Sequence, residues 1–314
     1  MPRTVCLDYF SLSRIVDLGF LAICCGAQGE VVMFSENKFA RLVSRFYCRC
    51  YFAIAVNVTI VFIVTGLVFG STRAGLLGVL VFVLYSALSF VFIFLGFSRL
   101  PSPPFYHLPD TCYPIIVSEW SNRLAQNGYD AGPIVYYLDV SGVNIPKELI
   151  AAVFLPSVLM KKSTLLVSES FIVGASADTI VAFVEHEIGH LRSGTHKMNE
   201  LAKALSAPLT MAQWWILRFR DFAERHNAMC VATKLYGLEL CIYPATSHAF
   251  EHIFELIADA LAAKSMGSKR EYVDAIEWVV KEGSNDSPVY EHDEHVLTHP
   301  SFRSRKESLD FLFS

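Results

Sequence analysis

Charge is what this sequence has least of. Asp, Glu, Lys and Arg make up 18% of its 314 residues, against 53% hydrophobic. Soluble domains usually carry about 25% charge. A chain with this much apolar surface to bury is not intrinsically disordered, and the same excess disfavours a fully soluble enzyme. No sign of charge dominates either. The 26 basic and 30 acidic residues leave a net charge of -4, so no global field draws the chain to nucleic acid, and none is expected as a partner. The eight cysteines contain no C-x-x-C pair and are irregularly spaced, which reads as reduced thiols and not as a disulfide framework. Internal repeats and low-complexity segments are lacking too.

What the sequence does have is long uncharged stretches. Cys50–Thr72 runs for 23 residues without a charge, and after Arg73 the stretch Ala74–Ser98 runs for 25. At about 1.5 Å per residue, each can cross a hydrocarbon layer roughly 30 Å thick. Two transmembrane helices joined by a short turn near 70–75 are the expectation. Lys38, Arg41, Arg45 and Arg49 precede the first span, at helical spacing, while the turn holds only Arg73. The positive-inside rule then puts the N-terminal side and everything after Arg99 in the cytoplasm. The lipid bilayer is thus an expected partner. The predicted organisation is an interfacial or cytoplasmic segment over 1–49, a transmembrane hairpin over 50–98, a Pro-rich linker over 99–112 and a catalytic domain over 113–314.

The body of the chain reads as mainly α with a small β-sheet. Helical patterns cover 115–126, 177–193, 250–264, 269–281 and 300–313, with Ser176 as the N-cap of the second and Gly194 just past its end. Strand-like runs cover 134–139, 151–158 and 163–168. The uncharged piece 204–217, with Trp214 and Trp215, and the short apolar piece 240–250 fit two readings equally. One is a membrane interface and the other a helical pair packed on the soluble domain.

His186-Glu187-Ile188-Gly189-His190 is the pattern H-E-x-x-H. On a helix, residues four apart lie one above the other, so both imidazoles face one point. A zinc ion fits there, one per chain, and it activates water for attack on a carbonyl with Glu187 as general base and acid. A catalytic zinc needs a third protein ligand. Glu255, with Asp259 one turn further on, supplies a candidate: Glu255 on the metal, Asp259 bonded to the second nitrogen of a ligand histidine. Glu251, His252, His292 and His295 are rival ligands.

Three elements occur in order: H-E-x-x-H at 186–190, E-x-x-A-D at 255–259, and Thr298-His299-Pro300-Ser301 with Arg305 and Leu309 beyond. In them the chain resembles the M48 family of zinc metallopeptidases, to which the bacterial membrane protease HtpX and the CAAX prenyl proteases belong. The resemblance runs from about Tyr113 to Ser314. It implies a zincin-like (gluzincin) catalytic domain behind the hairpin and a multi-pass protein of a bacterial inner membrane. The activity implied is hydrolysis of peptide bonds in membrane or membrane-proximal proteins. It also implies that His299 donates a hydrogen bond to the oxyanion of the tetrahedral intermediate. Arg305 then supports that site by pairing with a carboxylate or with the intermediate itself. The family's edge-strand signature carries an asparagine that is missing from Ala151-Ala152-Val153-Phe154. The backbone there can still pair with an extended substrate. Two alternatives remain open at this point: a CAAX-type enzyme for prenylated tails, and a non-catalytic metal-binding membrane adaptor.

Overall fold

The computed structural model describes residues 33–96, 105–107, 114–128, 130–137, 151–154, 162–168, 174–283 and 299–314. From Phe34 to Ser314 the chain forms one compact unit. The interfacial helix expected before residue 33 lies outside the described residues, as do His292, His295 and Thr298.

The chain enters through α1, Glu36–Phe69, an uninterrupted helix of 34 residues. The expected boundary between residues 49 and 50 falls inside this one helix. Neither glycine nor proline occurs from Glu36 to Thr65, so nothing breaks the ladder where the basic stretch gives way to the apolar one. Gly70, at φ 65°, takes the left-handed conformation that ends α1. The Ser71 hydroxyl accepts the Ala74 N–H and starts α2, Thr72–Gly96. Among the described residues, α1 alone is long and apolar enough to cross a membrane, and α2 is apolar over Thr72–Leu88. Leu67, Val68 and Phe69 of α1 and Leu76, Leu80 and Leu84 of α2 all face outward, uncovered by protein.

Part of the stretch expected as a linker is a strand. Phe105–His107 forms strand β1, followed by α3, Pro114–Gln126. Three more strands, β2 (Asp130–Tyr137), β3 (Ala151–Phe154) and β4 (Lys162–Ser168), complete a four-stranded sheet in the order β1-β2-β4-β3. β2 and β4 are parallel, and β3 runs antiparallel to β4. β3 is therefore an edge strand, with one side of its backbone unpaired within the sheet.

Helix α4, Ala177–Arg192, follows, and the Ser176 hydroxyl accepts the Thr179 N–H as its N-cap. Its residues Ile180, Val184, Ile188 and Leu191 form one stripe at helical spacing. They pack on Leu165 and Val167 of β4 and on Ile116, Trp120 and Leu124 of α3. Across α4 from the sheet lies α7, Ser247–Met266. Between them in sequence come α5, His196–Arg225, and α6, Met229–Ile242. The stretch 204–217 is thus the middle of one 30-residue helix that continues through Pro208. A 3-10 turn, Tyr243–Ala245, leads into α7. Helices α8 (Lys269–Gly283) and α9 (Phe302–Leu312) close the unit.

The first turns of α1 pack on this body. Phe39 and Leu42 lie against the core that contains Tyr272 of α8 and Leu309 of α9, and Phe46, Cys50 and Ala53 lie against Phe250, Phe254 and Ile257 of α7. Arg41, Arg45 and Arg49 stay exposed on the opposite face.

Candidate metal centre

Two helices build the centre. α4 carries His186 and His190 one turn apart, and α7 brings Glu255 opposite them. The helices come this close because Gly189 sits on the α4 face that meets Ala258. A Cβ at 189 would lie 2.7 Å from the Ala258 carbonyl oxygen and 3.0 Å from its Cα. A glycine inside a helix costs about 0.5–1 kcal/mol relative to alanine; here it permits a backbone-to-backbone approach that no side chain allows.

The Glu255 carboxylate lies 3.2 Å from His186 Nε2 and 3.4 Å from His190 Nε2. Ligand atoms of all three residues fall within 4.8 Å of one another, and these three form a metal-competent group among the described residues. His299 lies at the mouth, 62% exposed, with its Nε2 3.6 Å from Glu255 Oε2. Glu187, on the same turn as His186, is buried. Of the rival ligands, Glu251 pairs with Lys203 at 2.7 Å, and His252 lies 3.3 Å from the Tyr243 hydroxyl.

Behind the ligands stands a fully buried carboxylate. Asp259 Oδ1 accepts from His186 Nδ1 at 2.8 Å and from the Tyr272 hydroxyl at 2.6 Å. Arg305 clamps it with two bonds, Nε to Oδ2 at 2.8 Å and a terminal guanidinium nitrogen to Oδ1 at 2.6 Å. Of the two placements open to Arg305, the structure has the carboxylate one. Tyr272 was missed by the sequence reading. Its signal was a tyrosine on the α8 stripe shared with Ala275 and Ile276, a stripe that is buried and so requires a partner for the hydroxyl.

The electrostatics separate the two imidazoles. Burial opposes charge on His186, but its hydrogen bonds to the Asp259 and Glu255 carboxylates outweigh it and raise its pKa to about 10. Burial dominates at His190 and lowers its pKa to about 3. Its ring is neutral, stacked on Phe254 at 4.3 Å. Burial also works against ionising Asp259, yet Arg305 and His186 hold its carboxyl well below the usual range. Burial, then Asp259, push the Tyr272 hydroxyl well above its ordinary value, so it stays a donor. Two carboxylates, Asp259 and Glu255, lie near one guanidinium, that of Arg305.

A divalent cation suits this arrangement. Two imidazoles and one carboxylate converge in a buried pocket, one imidazole is oriented from behind by a carboxylate, and the fourth side opens toward the exposed His299. The sequence model of peptidase family M48 matches residues 151–312, just over half the chain. The chain belongs to peptidase family M48. All five positions of the centre, 186, 190, 255, 259 and 305, lie inside the M48 match. Three chains of solved structure also match. One is the crystal structure of S. mikatae Ste24p, 17% identical, with a TM-score of 0.45. That alignment covers 82% of this chain and 63% of the other. Curated proteins give no match.

Proposed function

We propose that this M48 member is a membrane-anchored zinc endopeptidase that cleaves peptide bonds of membrane or membrane-proximal proteins. The observation that carries the reading is the convergence of His186, His190 and Glu255 in one buried pocket. In this reading those three residues hold one zinc ion. Bound zinc supplies a Lewis acid that polarises the scissile carbonyl and lowers the pKa of a water.

The chain's own residues do the rest. Glu187 takes a proton from the attacking water and passes it to the leaving amine nitrogen. His299, at the mouth, donates a hydrogen bond to the carbonyl oxygen as negative charge develops there. Asp259 accepts the Nδ1 proton of His186, which leaves Nε2 free to act as a ligand. Arg305 and Tyr272 fix Asp259 and act through it. The edge strand β3, Ala151–Phe154, offers an unpaired backbone to which an extended substrate adds as a further strand.

The membrane part of the proposal has separate support. α1 and α2 present apolar side chains outward along the hairpin, and the basic residues at the start of α1 favour the cytoplasmic side. The same turns of α1 pack on the core that holds α7 and α9, so the metal centre belongs on that side, as in a multi-pass protein of a bacterial inner membrane. On α5, Trp214, Trp215, Phe219 and Phe222 are all about half exposed or more. Arg220, whose charge would otherwise face the same region, is buried against Glu239 of α6 at 2.8 Å.

The test uses the full chain in detergent or vesicles. Zinc is counted by mass spectrometry, and cleavage of an unfolded membrane-protein substrate is followed with and without chelator. One zinc per chain is expected. Glu187→Gln is expected to keep that zinc and to slow cleavage by about 10²–10⁴-fold. Unchanged cleavage by this variant, or protein that binds no zinc, overturns the reading.

A further inference from the structure

Asn57 lies midway along α1, in the uncharged stretch, and is fully buried. A polar side chain in that setting costs free energy unless its hydrogen bonds are met. Both of its polar atoms are bonded, to three different elements. Nδ2 donates to the Ala53 carbonyl within α1 at 2.8 Å and to the Ala245 carbonyl in the 3-10 turn at 2.9 Å. Oδ1 accepts the backbone N–H of Leu209 in α5 at 3.1 Å.

The two distant partners are informative. Leu209 follows Pro208, which has no N–H and disturbs the ladder of α5. The Ala204 carbonyl, which Pro208 cannot serve, accepts from the Ser86 hydroxyl of α2 at 3.4 Å. The spanning hairpin therefore repairs the proline break from two sides, as happens where proline sits in a membrane helix. Asn57 does more than repair. Ala245 ends the turn that delivers the chain into α7, and the first N–H of α7, at Ser247, donates to the hydroxyl of Thr210, next to Leu209, at 3.0 Å. Asn57, Leu209, Thr210 and Ala245 together fix where α7 begins. Glu255 follows Ser247 by eight residues, about 12 Å along the helix axis.

Apart from the exposed Glu36–Lys264 ion pair at the far end of the two helices, the contacts of α1 with α7 are apolar: Phe46, Cys50 and Ala53 against Phe250, Phe254 and Ile257. Such packing is non-directional and tolerates sliding. A single buried, hydrogen-bonded Asn is a known device for setting helix register. We infer that Asn57, within the membrane span, is a positioning residue for the metal centre: it sets the register of α7, and with it the distance of Glu255 from His186 and His190. The inference rests on the metal reading above.

The test compares full-length variants in detergent, with zinc affinity measured by competition against a chromophoric chelator and with kcat and KM measured at saturating zinc. Asn57→Leu keeps the branched shape and suits the bilayer. It is expected to weaken zinc binding about tenfold, the lower end of the effect of losing a supporting partner, and to lower kcat with KM unchanged. Ser86→Ala removes the other repair of the same proline but touches nothing leading to α7, so wild-type zinc affinity is expected. Thr210→Val removes the bond to Ser247 and is expected to weaken zinc binding in the same sense; it decides the matter if Asn57→Leu does not fold. Wild-type affinity in folded Asn57→Leu or in Thr210→Val overturns the inference, and so does an equal loss in Ser86→Ala. Wild-type protein that binds no zinc is a different result, since it removes the metal reading itself.

Discussion

The cleft between α4 and α7 and the hairpin of α1 and α2 both bury polar side chains, and they use them in opposite ways. In the cleft the polar groups bond chiefly to one another. Glu255, His186, Asp259, Tyr272 and Arg305 form one connected chain of contacts, and several of its members have strongly displaced pKa values. Among the described residues of the hairpin, buried or half-buried Asn57, Ser86 and Thr65 serve backbone. Asn57 and Ser86 bond to backbone groups of α5 and the 3-10 turn, and Thr65 bonds back to the Val61 carbonyl at 2.6 Å. Buried polarity thus marks a reactive centre where side chains satisfy side chains, and marks architecture where they satisfy main chain. Loss of Arg305 from the cleft leaves a buried charge stranded, whereas loss of a hairpin residue leaves a neutral backbone group unpaired, which costs less.

The sharpest break in this contrast is at the ligands. His190→Ala is expected to abolish zinc binding and proteolysis in a chain that remains folded, because His190 lies outside the hydrogen-bonded network of His186, Asp259, Tyr272 and Arg305. Stripping wild-type protein of zinc is expected to abolish cleavage as well, with recovery on zinc addition; the variant does not recover. A metal titration with parallel circular dichroism checks both. Arg305→Met comes next. It leaves the Asp259 carboxylate buried without its main counter-charge, which costs about 3–5 kcal/mol and is read as a large fall in the unfolding midpoint. The matched change outside the cleft is Glu36→Gln, which breaks the exposed pair between Glu36 and Lys264. Exposed pairs are worth about 0–1 kcal/mol, so its midpoint is expected to move little. Equal shifts for the two variants would erase the distinction between the regions.

A smaller effect separates the regions through glycine. Gly189→Ala drives a Cβ to 2.7 Å from the Ala258 carbonyl oxygen, and backbone cannot rotate away as a side chain can. Overpacking of this kind costs about 1–3 kcal/mol, and here it pushes the two ligand-bearing helices apart. Zinc affinity is expected to fall together with stability. Wild-type zinc affinity in a destabilised Gly189→Ala would mean that the close approach serves packing alone.

How far the centre was legible in the sequence follows from the kind of constraint at each position. His186, His190 and Glu255 are local patterns: helical spacing of four brings the histidines to one face, and the amphipathic stripe of α4 says which face is core. Asp259 follows from the same period on α7. Arg305 was legible only as a choice between two partners, because spacing within α9 says nothing about which carboxylate it meets. Tyr272 was not singled out, since its contact with Asp259 is made across helices and leaves only a buried stripe in the sequence. The fold is less legible where a local rule meets a longer-range context. The change from basic to apolar residues at 49/50 marks a change of surroundings, and α1 runs through it because no residue there ends a helix. The Pro-rich stretch after α2 suggested a linker, yet β1 within it pairs with β2 through backbone bonds that composition does not encode. The uncharged piece 204–217 is bounded in the sequence by charge alone, and the helix runs on past both ends and through Pro208, where Asn57 and Ser86, more than a hundred residues away, bond to its backbone.

The smallest expected effect sharpens the glycine comparison from the other side. Gly237 lies inside α6, and a Cβ added there meets nothing within 4 Å. Its backbone is helical, so alanine suits the site, and replacing a mid-helix glycine stabilises by about 0.5–1 kcal/mol. Gly237→Ala is therefore expected to raise the unfolding midpoint slightly while zinc affinity and kcat stay at wild-type values, since α6 carries no residue of the centre. The same one-methyl change then has opposite signs at 189 and 237. A loss of stability at 237 would show that the exposed face of α6 is covered by another surface in the protein as purified, a surface that requires glycine's small size.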